Sequence, residues 1–143
     1  MNTNDTLALT GKLTISLNGD VVQETTNLVV TAGKEWVAAR MKNTSTVMTH
    51  MAIGTGTTAA AIANTTLGTE VARQALSTSG GTVAGAVITF ATSYAAGTGT
   101  GAITEAGVLN AASGGTMLAR TVFTVVNKGA LDSMTISWAV TIS

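Results

Sequence analysis

The segment 102–123, AITEAGVLNAASGGTMLARTVF, constrains the fold of this chain more than any other stretch. Two β-prone limbs flank AASGGT, where Gly114 and Gly115 can adopt positive φ without steric cost and so allow the chain to reverse. Each limb carries one charged residue, Glu105 in the first and Arg120 in the second. The segment therefore predicts a β-hairpin with charges of opposite sign on its two strands.

The end of this hairpin has a counterpart earlier in the chain. GTMLAR at 115–120 resembles GTEVAR at 68–73, which suggests that the fold begins a strand in the same way twice. A charge in the apolar interior of a sheet persists only when it is paired and hydrogen-bonded. Ion pairs between a glutamate and an arginine are therefore favoured over a catalytic pair of two glutamates. The structural ion-pair candidates are Glu70, Arg73, Glu105 and Arg120.

Alternation of apolar and polar residues with a period of two marks the first and last strands. The first strand covers 7–17 and leads through Asn18 and Gly19, a strong hairpin signal, to a return strand at 20–26. Gly11 interrupts the apolar face of the first strand and predicts a bulge. The apolar face of the last strand consists of Met134, Ile136, Trp138, Val140 and Ile142.

One helix and several further strands are predicted between these two ends. The segment 33–42, GKEWVAARMK, has apolar residues at helical spacing, and Thr31 precedes it as a candidate cap. Trp36 and Trp138 lie on the apolar faces of their own elements and are predicted to anchor the core. The remaining extended segments are predicted at 27–30, 47–53, 70–77 and 83–94, with turns at 79–81 and 127–129.

The composition excludes several classes of protein. Charged residues make up 10% of the chain and balance to a net charge of zero, so no basic field attracts nucleic acid or an anionic membrane. No stretch approaches the roughly 20 apolar residues of a membrane span, and the N-terminus MNTNDTLALT lacks the features of a secretory signal. Without cysteine, the chain has no disulfide, thiolate nucleophile or zinc-cysteine site. We expect no nucleic-acid or membrane partner and no cofactor.

No residue pattern predicts a catalytic or metal site. His50 is the only histidine and lies between Thr49 and Met51 on a predicted strand, which favours a structural or surface role. The seven carboxylates are dispersed and show no EF-hand spacing. The glycine-rich stretch 54–58, GTGTT, lacks the βαβ context of a dinucleotide fingerprint and is predicted to be a surface loop. Tyr94, beside a second glycine-rich loop, is a candidate contact for a partner.

Together these patterns predict a single-domain, mainly β protein. Threonine is the commonest residue, and β-branched residues with glycine favour strands and tight turns over helix. We expect an antiparallel two-sheet sandwich or jelly-roll-like fold over 7–143, with one short helix near 33–42. Residues 1–6 are expected to form a flexible N-terminal arm, whose candidate interaction residues are Met1, Asn2, Thr3, Asn4, Asp5 and Thr6.

The low charge also bears on self-association. A small monomer normally carries many Lys and Glu residues on its surface, whereas this chain combines few charges with a positive mean hydropathy. This combination favours a surface that is covered by other copies of the chain or by a larger assembly. The alternative is a monomer whose threonine and serine hydroxyls keep it in solution.

Several segments carry a family resemblance. They are NLVVTAGKEWVAARM, MAIGTGTTAA, TTLGTEVAR, ITEAGVLNA and GGTMLARTVF, followed by the final alternating strand. This series resembles small structural proteins of tailed bacteriophages, described as capsid cement (decoration) proteins or as tail fibre and appendage components. The resemblance covers 27–143, and GTEVAR and ITEAGVLN are its most specific parts. It implies an all-β oligomer, often a trimer, and supplies no catalytic residues.

Within that group, the short chain with no coiled-coil stalk or repeat array favours a cement protein over a fibre subunit. We expect oligomers, made in the host cytoplasm, that bind the major capsid protein on the outer surface of the virion and stabilise the shell. Many weak contacts repeated by symmetry would supply the avidity. The alternatives are a tail fibre or tail-tip component and a carbohydrate-binding module, for which the chain has few aromatic residues. An enzyme is the least favoured class.

Overall fold

A computed structural model describes residues 6–143 and consists, over that range, of ten β-strands and one α-helix. The elements are β1 Leu9–Leu17, β2 Asp20–Thr26, β3 Leu28–Val29, α1 Thr31–Met41, β4 His50–Gly54, β5 Glu70–Ala75, β6 Thr82–Ala84, β7 Val87–Tyr94, β8 Gly101–Leu109, β9 Met117–Lys128 and β10 Met134–Ile142. The strands form two five-stranded antiparallel sheets, with the orders β2-β1-β10-β7-β6 and β3-β9-β8-β4-β5. The predicted mainly β, two-sheet, single-domain fold is confirmed.

The main core lies between the two sheets. Alternate residues of β1, β7 and β10 point inward from the first sheet, and Trp138 is fully buried among them. In the second sheet, residues 103–109 of β8 are all buried, so this strand is covered on both faces. A second, smaller apolar cluster includes residues of this sheet. Its members are Val30, Ala52, Leu67, Leu109 and Met117.

The first hairpin forms where the sequence predicts it. Asn18 and Gly19 adopt φ values of 52° and 88°, which is the left-handed geometry that a two-residue hairpin turn requires. The predicted bulge at Gly11 is wrong, because the register of β1 against β2 shifts between Ile15 and Ser16 instead. Position 11 requires glycine for a steric reason. The side chain of Asn27 occupies the space that a Cβ atom at position 11 would need.

The helix begins earlier than predicted. It covers Thr31–Met41, and Val30 is its N-cap residue, with no side-chain capping hydrogen bond. Thr31 is therefore not the cap but the first helical residue. Its backbone N–H donates to the carbonyl oxygen of Ile62 at 2.8 Å, so a tertiary contact replaces the local cap.

The predicted long strand over 83–94 is two strands. β6 and β7 form a tight hairpin, in which Ala84 pairs with Val87 and Gly85 adopts a φ of 59°. The turn predicted at 127–129 also lies slightly later, because β9 continues to Lys128 and the reversal follows it. The last strand, β10, has the predicted bounds and runs between β1 and β7.

The two open sides of the sandwich are joined by specific hydrogen bonds. On one side, the Gln23 amide of β2 donates to the Thr124 carbonyl at 2.7 Å and accepts the Thr124 N–H at 3.0 Å. On the other side, the Ser77 N–H donates to the Ala91 carbonyl at 2.8 Å, just beyond the end of β5. These bonds link the two sheets to each other.

Candidate functional site: the buried ion pair and its covering loop

The charges of the central hairpin form a buried ion pair. Glu105 of β8 is 0% exposed and Arg120 of β9 is 2% exposed. The Nε and Nη2 atoms of Arg120 both donate to Oε2 of Glu105, at 3.0 and 2.8 Å. The register places Glu105 opposite Val122, two residues along β9 from Arg120, so the long arginine side chain reaches diagonally across the hairpin.

Backbone groups supply the remaining donors to the Glu105 carboxylate. The N–H groups of Gly56 and Thr69 donate to Oε1 at 3.0 and 2.7 Å, and the N–H of Gly68 donates to Oε2 at 2.8 Å. Burial by itself raises the pKa of Glu105, but the N–H donors and Arg120 outweigh it and hold the pKa below its ordinary value. The carboxylate is therefore charged and fully hydrogen-bonded.

Arg120 also binds the segment between β4 and β5, to which Gly56, Gly68 and Thr69 belong. Its Nη1 donates to Oδ1 of Asn64 at 2.9 Å, and its Nη2 donates to the carbonyl of Thr58 at 3.0 Å. Asn64 Oδ1 also accepts the N–H of Ala61 at 2.8 Å. Residues 55–69, here called the covering loop, are thus attached to the ion pair along most of their length.

This attachment explains the glycine-rich start of the covering loop. A Cβ atom at Gly56 would lie 2.5 Å from Oε1 of Glu105, and a Cβ atom at Gly54 would meet the backbone of Thr69. The stretch 54–58 therefore needs glycine so that the backbone can approach a carboxylate of the same chain. From Thr55 onward it is a loop, as predicted, whereas Gly54 is the last residue of β4.

The other two ion-pair candidates bind each other. Arg73 donates from Nη2 to Oε1 of Glu70 at 2.7 Å and from Nε to Oε2 at 3.0 Å. Its Nη1 also donates to the carbonyls of Ala111 and Gly114, at 3.0 and 2.9 Å, in the turn between β8 and β9. Both arginines of the repeated GTxxAR pattern therefore fasten a strand of the second sheet to a loop.

The two glutamates are neighbours in the sheet without forming a site. Glu70 and Glu105 lie on the strands that flank β4, and each is opposite Gly54 in the register. Each carboxylate is engaged by its own arginine. The structure thus separates the four candidates into two ion pairs.

The other candidate residues have structural surroundings. His50 is half-buried, and its Nδ1 lies 2.8 Å from Oγ1 of Thr49. Tyr94 is fully buried and donates its hydroxyl to the Met51 carbonyl at 2.6 Å, so it is not the surface contact that the sequence predicts. No group of three or more His, Cys, Asp or Glu residues within 6–143 is placed to hold a metal ion.

Sequence reasoning missed one buried cation. Lys128 is 1% exposed, and its amine donates to the carbonyls of Ala95 and Asp132 at 3.0 and 2.7 Å. The alternation of β9 indicates that Lys128 is buried, because it lies two positions after the buried Val126 and therefore on the same face of the strand. The sequence analysis missed this burial because it predicted a turn at 127–129 and so placed Lys128 outside the strand.

The N-terminal arm is only partly described. Met1, Asn2, Thr3, Asn4 and Asp5 lie outside the described residues, and Thr6 is exposed. On the rest of the surface, eleven large apolar side chains within the described chain are exposed. They are Leu7, Val21, Val22, Met41, Val47, Ile62, Val71, Val83, Val125, Leu131 and Ile142.

Two further findings complete the description of the chain. No helix within 6–143 is long and apolar enough to cross a membrane. Comparisons with models of protein families, with curated proteins and with solved structures found no match.

Proposed function

We propose that this protein is a virion structural protein of a tailed bacteriophage, and specifically a capsid cement protein that binds the outer capsid surface as an oligomer. The observation that carries the proposal is the distribution of charge. Of seven basic and seven acidic residues, Glu105, Arg120 and Lys128 are buried. Eleven large apolar side chains are exposed at the same time. A surface with few charges and many apolar side chains suits contact with other protein.

The buried ion pair supports a mechanical role for the domain. Glu105 and Arg120 together make seven hydrogen bonds within 6–143 that hold the hairpin and the covering loop in one arrangement. Buried polar networks that are fully satisfied rigidify the structure around them. A protein that reinforces a shell under load needs this property.

The finer parts of the proposal depend on the sequence resemblance. They are the homo-oligomer, which the resemblance makes a trimer, the major capsid protein as partner, and synthesis in the host cytoplasm followed by residence on the virion. Residues 1–6 and the β1–β2 hairpin are the proposed contacts, since both lie outside the region of resemblance, 27–143. Val21 and Val22 of that hairpin are exposed.

Binding to capsids tests the proposal directly. Purified protein is mixed with capsids that lack it and sedimented, and bound copies are counted by quantitative mass spectrometry against the major capsid protein. We expect a fixed, saturating ratio with hundreds of copies for each shell. A handful of copies, located at the tail by labelling, would assign the protein to the tail fibre class instead.

A deletion of residues 2–6 and the substitution Val22→Lys locate the contact. Both are expected to lower the number of bound copies at subsaturating protein. Val83→Lys is the matched control, because Val83 is 72% exposed on β6, at the edge of the first sheet opposite β2, and lies outside the proposed contact. Equal binding by all variants would contradict the placement of the contact.

A further inference from the structure

An apolar groove of about 410 Å³ opens between α1 and the first sheet. Its walls include Trp36 and Val37 of the helix, and its floor is formed by Phe90, Leu118 and Val140. These floor residues are at most 3% exposed and belong to the main core. The groove therefore reaches from the surface to the core, and its volume lies within the range of small-ligand sites, about 300–1,000 Å³.

The mouth of the groove is apolar as well. Met41, Val83 and Ile142 line it, and their exposed fractions are 84%, 72% and 41%. The flexible methionine side chain can adapt to the shape of an occupant. A ligand with an alkyl chain would cover these side chains on entering the groove.

Arg40 is the one charged residue that lines the groove. Its Nη1 donates to the Ser45 carbonyl and to Oδ1 of Asn43, which fixes the side chain beside the end of the helix. Within residues 6–143, no carboxylate lies within ion-pair distance of Arg40, and its Nε and Nη2 have no hydrogen-bond acceptor. One edge of the guanidinium is thus available to a ligand.

We propose that this groove binds a small amphipathic carboxylate of the medium-chain fatty acid class. The alkyl chain lies along Trp36 and Phe90, and the carboxylate accepts hydrogen bonds from Nε and Nη2 of Arg40. A single arginine among apolar side chains favours this class of ligand. A neutral apolar ligand would remove water from the guanidinium without replacing the hydrogen bonds that the water makes. A carboxylate matches the planar fork of two N–H donors. This inference goes beyond the proposed function and does not depend on it.

Titration with decanoate below its micelle concentration tests the proposal. Trp36 lines the groove and reports binding through its fluorescence, whereas Trp138 is fully buried in the core. We expect saturable binding of decanoate and weaker binding of decanol, which has a similar chain and no charge. Arg40→Gln is expected to weaken decanoate binding about tenfold and to change decanol binding less than twofold. Lys34→Gln, on an exposed position of the same helix, is the matched control and should bind both ligands as the parent protein does.

A second variant leaves Arg40 and its loop contacts intact. Ala86 lines the groove from the turn between β6 and β7, and Ala86→Phe places a ring in the space of the alkyl chain. We expect this variant to lose binding of both ligands while its circular dichroism spectrum is unchanged. The proposal is overturned if the parent protein shows no saturable decanoate binding, if decanoate and decanol bind equally, or if Ala86→Phe binds decanoate normally. Capsid binding is measured separately, so failure here leaves the proposed function standing.

Discussion

The backbone N–H of Gly56 donates to Oε1 of Glu105 at 3.0 Å, across 49 residues of chain. The same oxygen would lie 2.5 Å from a Cβ atom at position 56. A carboxylate on β8 thus determines which residue type can occupy position 56, the second position of the covering loop. The loop sequence is explained by a contact that no local pattern contains.

Gly56→Ala should therefore destabilise the protein strongly. The added methyl group forces the loop away from Glu105, which weakens the N–H donor bond and crowds a buried carboxylate. We expect a loss of about 2–3 kcal/mol in the free energy of unfolding, measured in urea. Gly68→Ala is the matched control, since a Cβ atom there has ordinary contacts of 3.4–3.5 Å. Equal stability of the two variants would show that the covering loop can move freely.

The two ion pairs should differ in their contribution to stability. Arg120→Met leaves the buried Glu105 charge without its arginine and is expected to cost about 3–5 kcal/mol. Arg73→Met breaks a pair whose glutamate side chain is 35% exposed, and water can replace the lost partner. We expect a cost of about 1–2 kcal/mol for that variant.

The double variant Glu105→Gln/Arg120→Met separates the pair from its surroundings. Removing both charges should be less harmful than the sum of the single substitutions, because neither partner is left buried and uncompensated. Urea unfolding of all four proteins gives the coupling energy. Strict additivity would mean that Glu105 and Arg120 act independently, in conflict with their geometry.

Acid should remove the contribution of Glu105. Its pKa in the folded protein lies below the ordinary value of 4.5, so the folded state binds its proton less readily than the unfolded state does. The resulting stabilisation is complete above about pH 4.5 and is lost as the pH falls through the lowered pKa of the folded state. Urea unfolding between neutral and acidic pH should show a smaller pH dependence for Glu105→Gln than for the parent protein. An unchanged slope would contradict the ionised, hydrogen-bonded carboxylate.

Local alternation predicted the first and last strands of the chain well. β10 has the expected bounds because its apolar residues alternate over nine positions after a polar turn. The split of 83–94 was not visible, because Ala84 and Ala86 extend the apparent alternation of Ile88 and Phe90. The two-residue turn at Gly85 and Ala86 reverses the parity of the face, since Val83 pairs with Ile88 and Ala84 pairs with Val87. Alternation that depends on alanine cannot distinguish one long strand from two strands joined by a two-residue turn, because alanine fits a strand and a turn alike.

The sequence predicted which residues form the buried ion pair, but it did not predict which residues of the covering loop bind them. Opposite charges on one predicted hairpin pointed to Glu105 and Arg120. Their partners in the covering loop lie 36–62 positions away from them along the chain, and no short-range pattern encodes such contacts. The groove beside Arg40 was missed for the same reason, because its walls come from a helix and five strands.

Tyr94 offers a test at high pH. Burial, together with the nearby charge of Glu70, raises the pKa of Tyr94 far above its ordinary value of 10.0, and Arg73 opposes this only in part. The unfolded chain ionises from about pH 10 upward, while the folded state keeps the proton, so stability falls as the pH rises. Tyr94 is the only tyrosine, and ultraviolet absorbance of phenolate should therefore appear together with unfolding. Phenolate formation in the folded protein would contradict the buried hydroxyl.

The Gln23 side chain should hold the two sheets together at one side and protect the Thr124 N–H from hydrogen exchange. Its amide makes both hydrogen bonds to the backbone of Thr124 that a neighbouring strand would make. Gln23→Ala is expected to speed hydrogen exchange at the Thr124 N–H about tenfold, which corresponds to about 1.4 kcal/mol. Gln74→Ala on β5 is the control, because the Gln74 side chain makes no hydrogen bond within the described chain. If exchange at Thr124 is the same in both variants, β9 does not need this side chain to protect its free edge, and packing between the sheets alone holds that side of the sandwich closed.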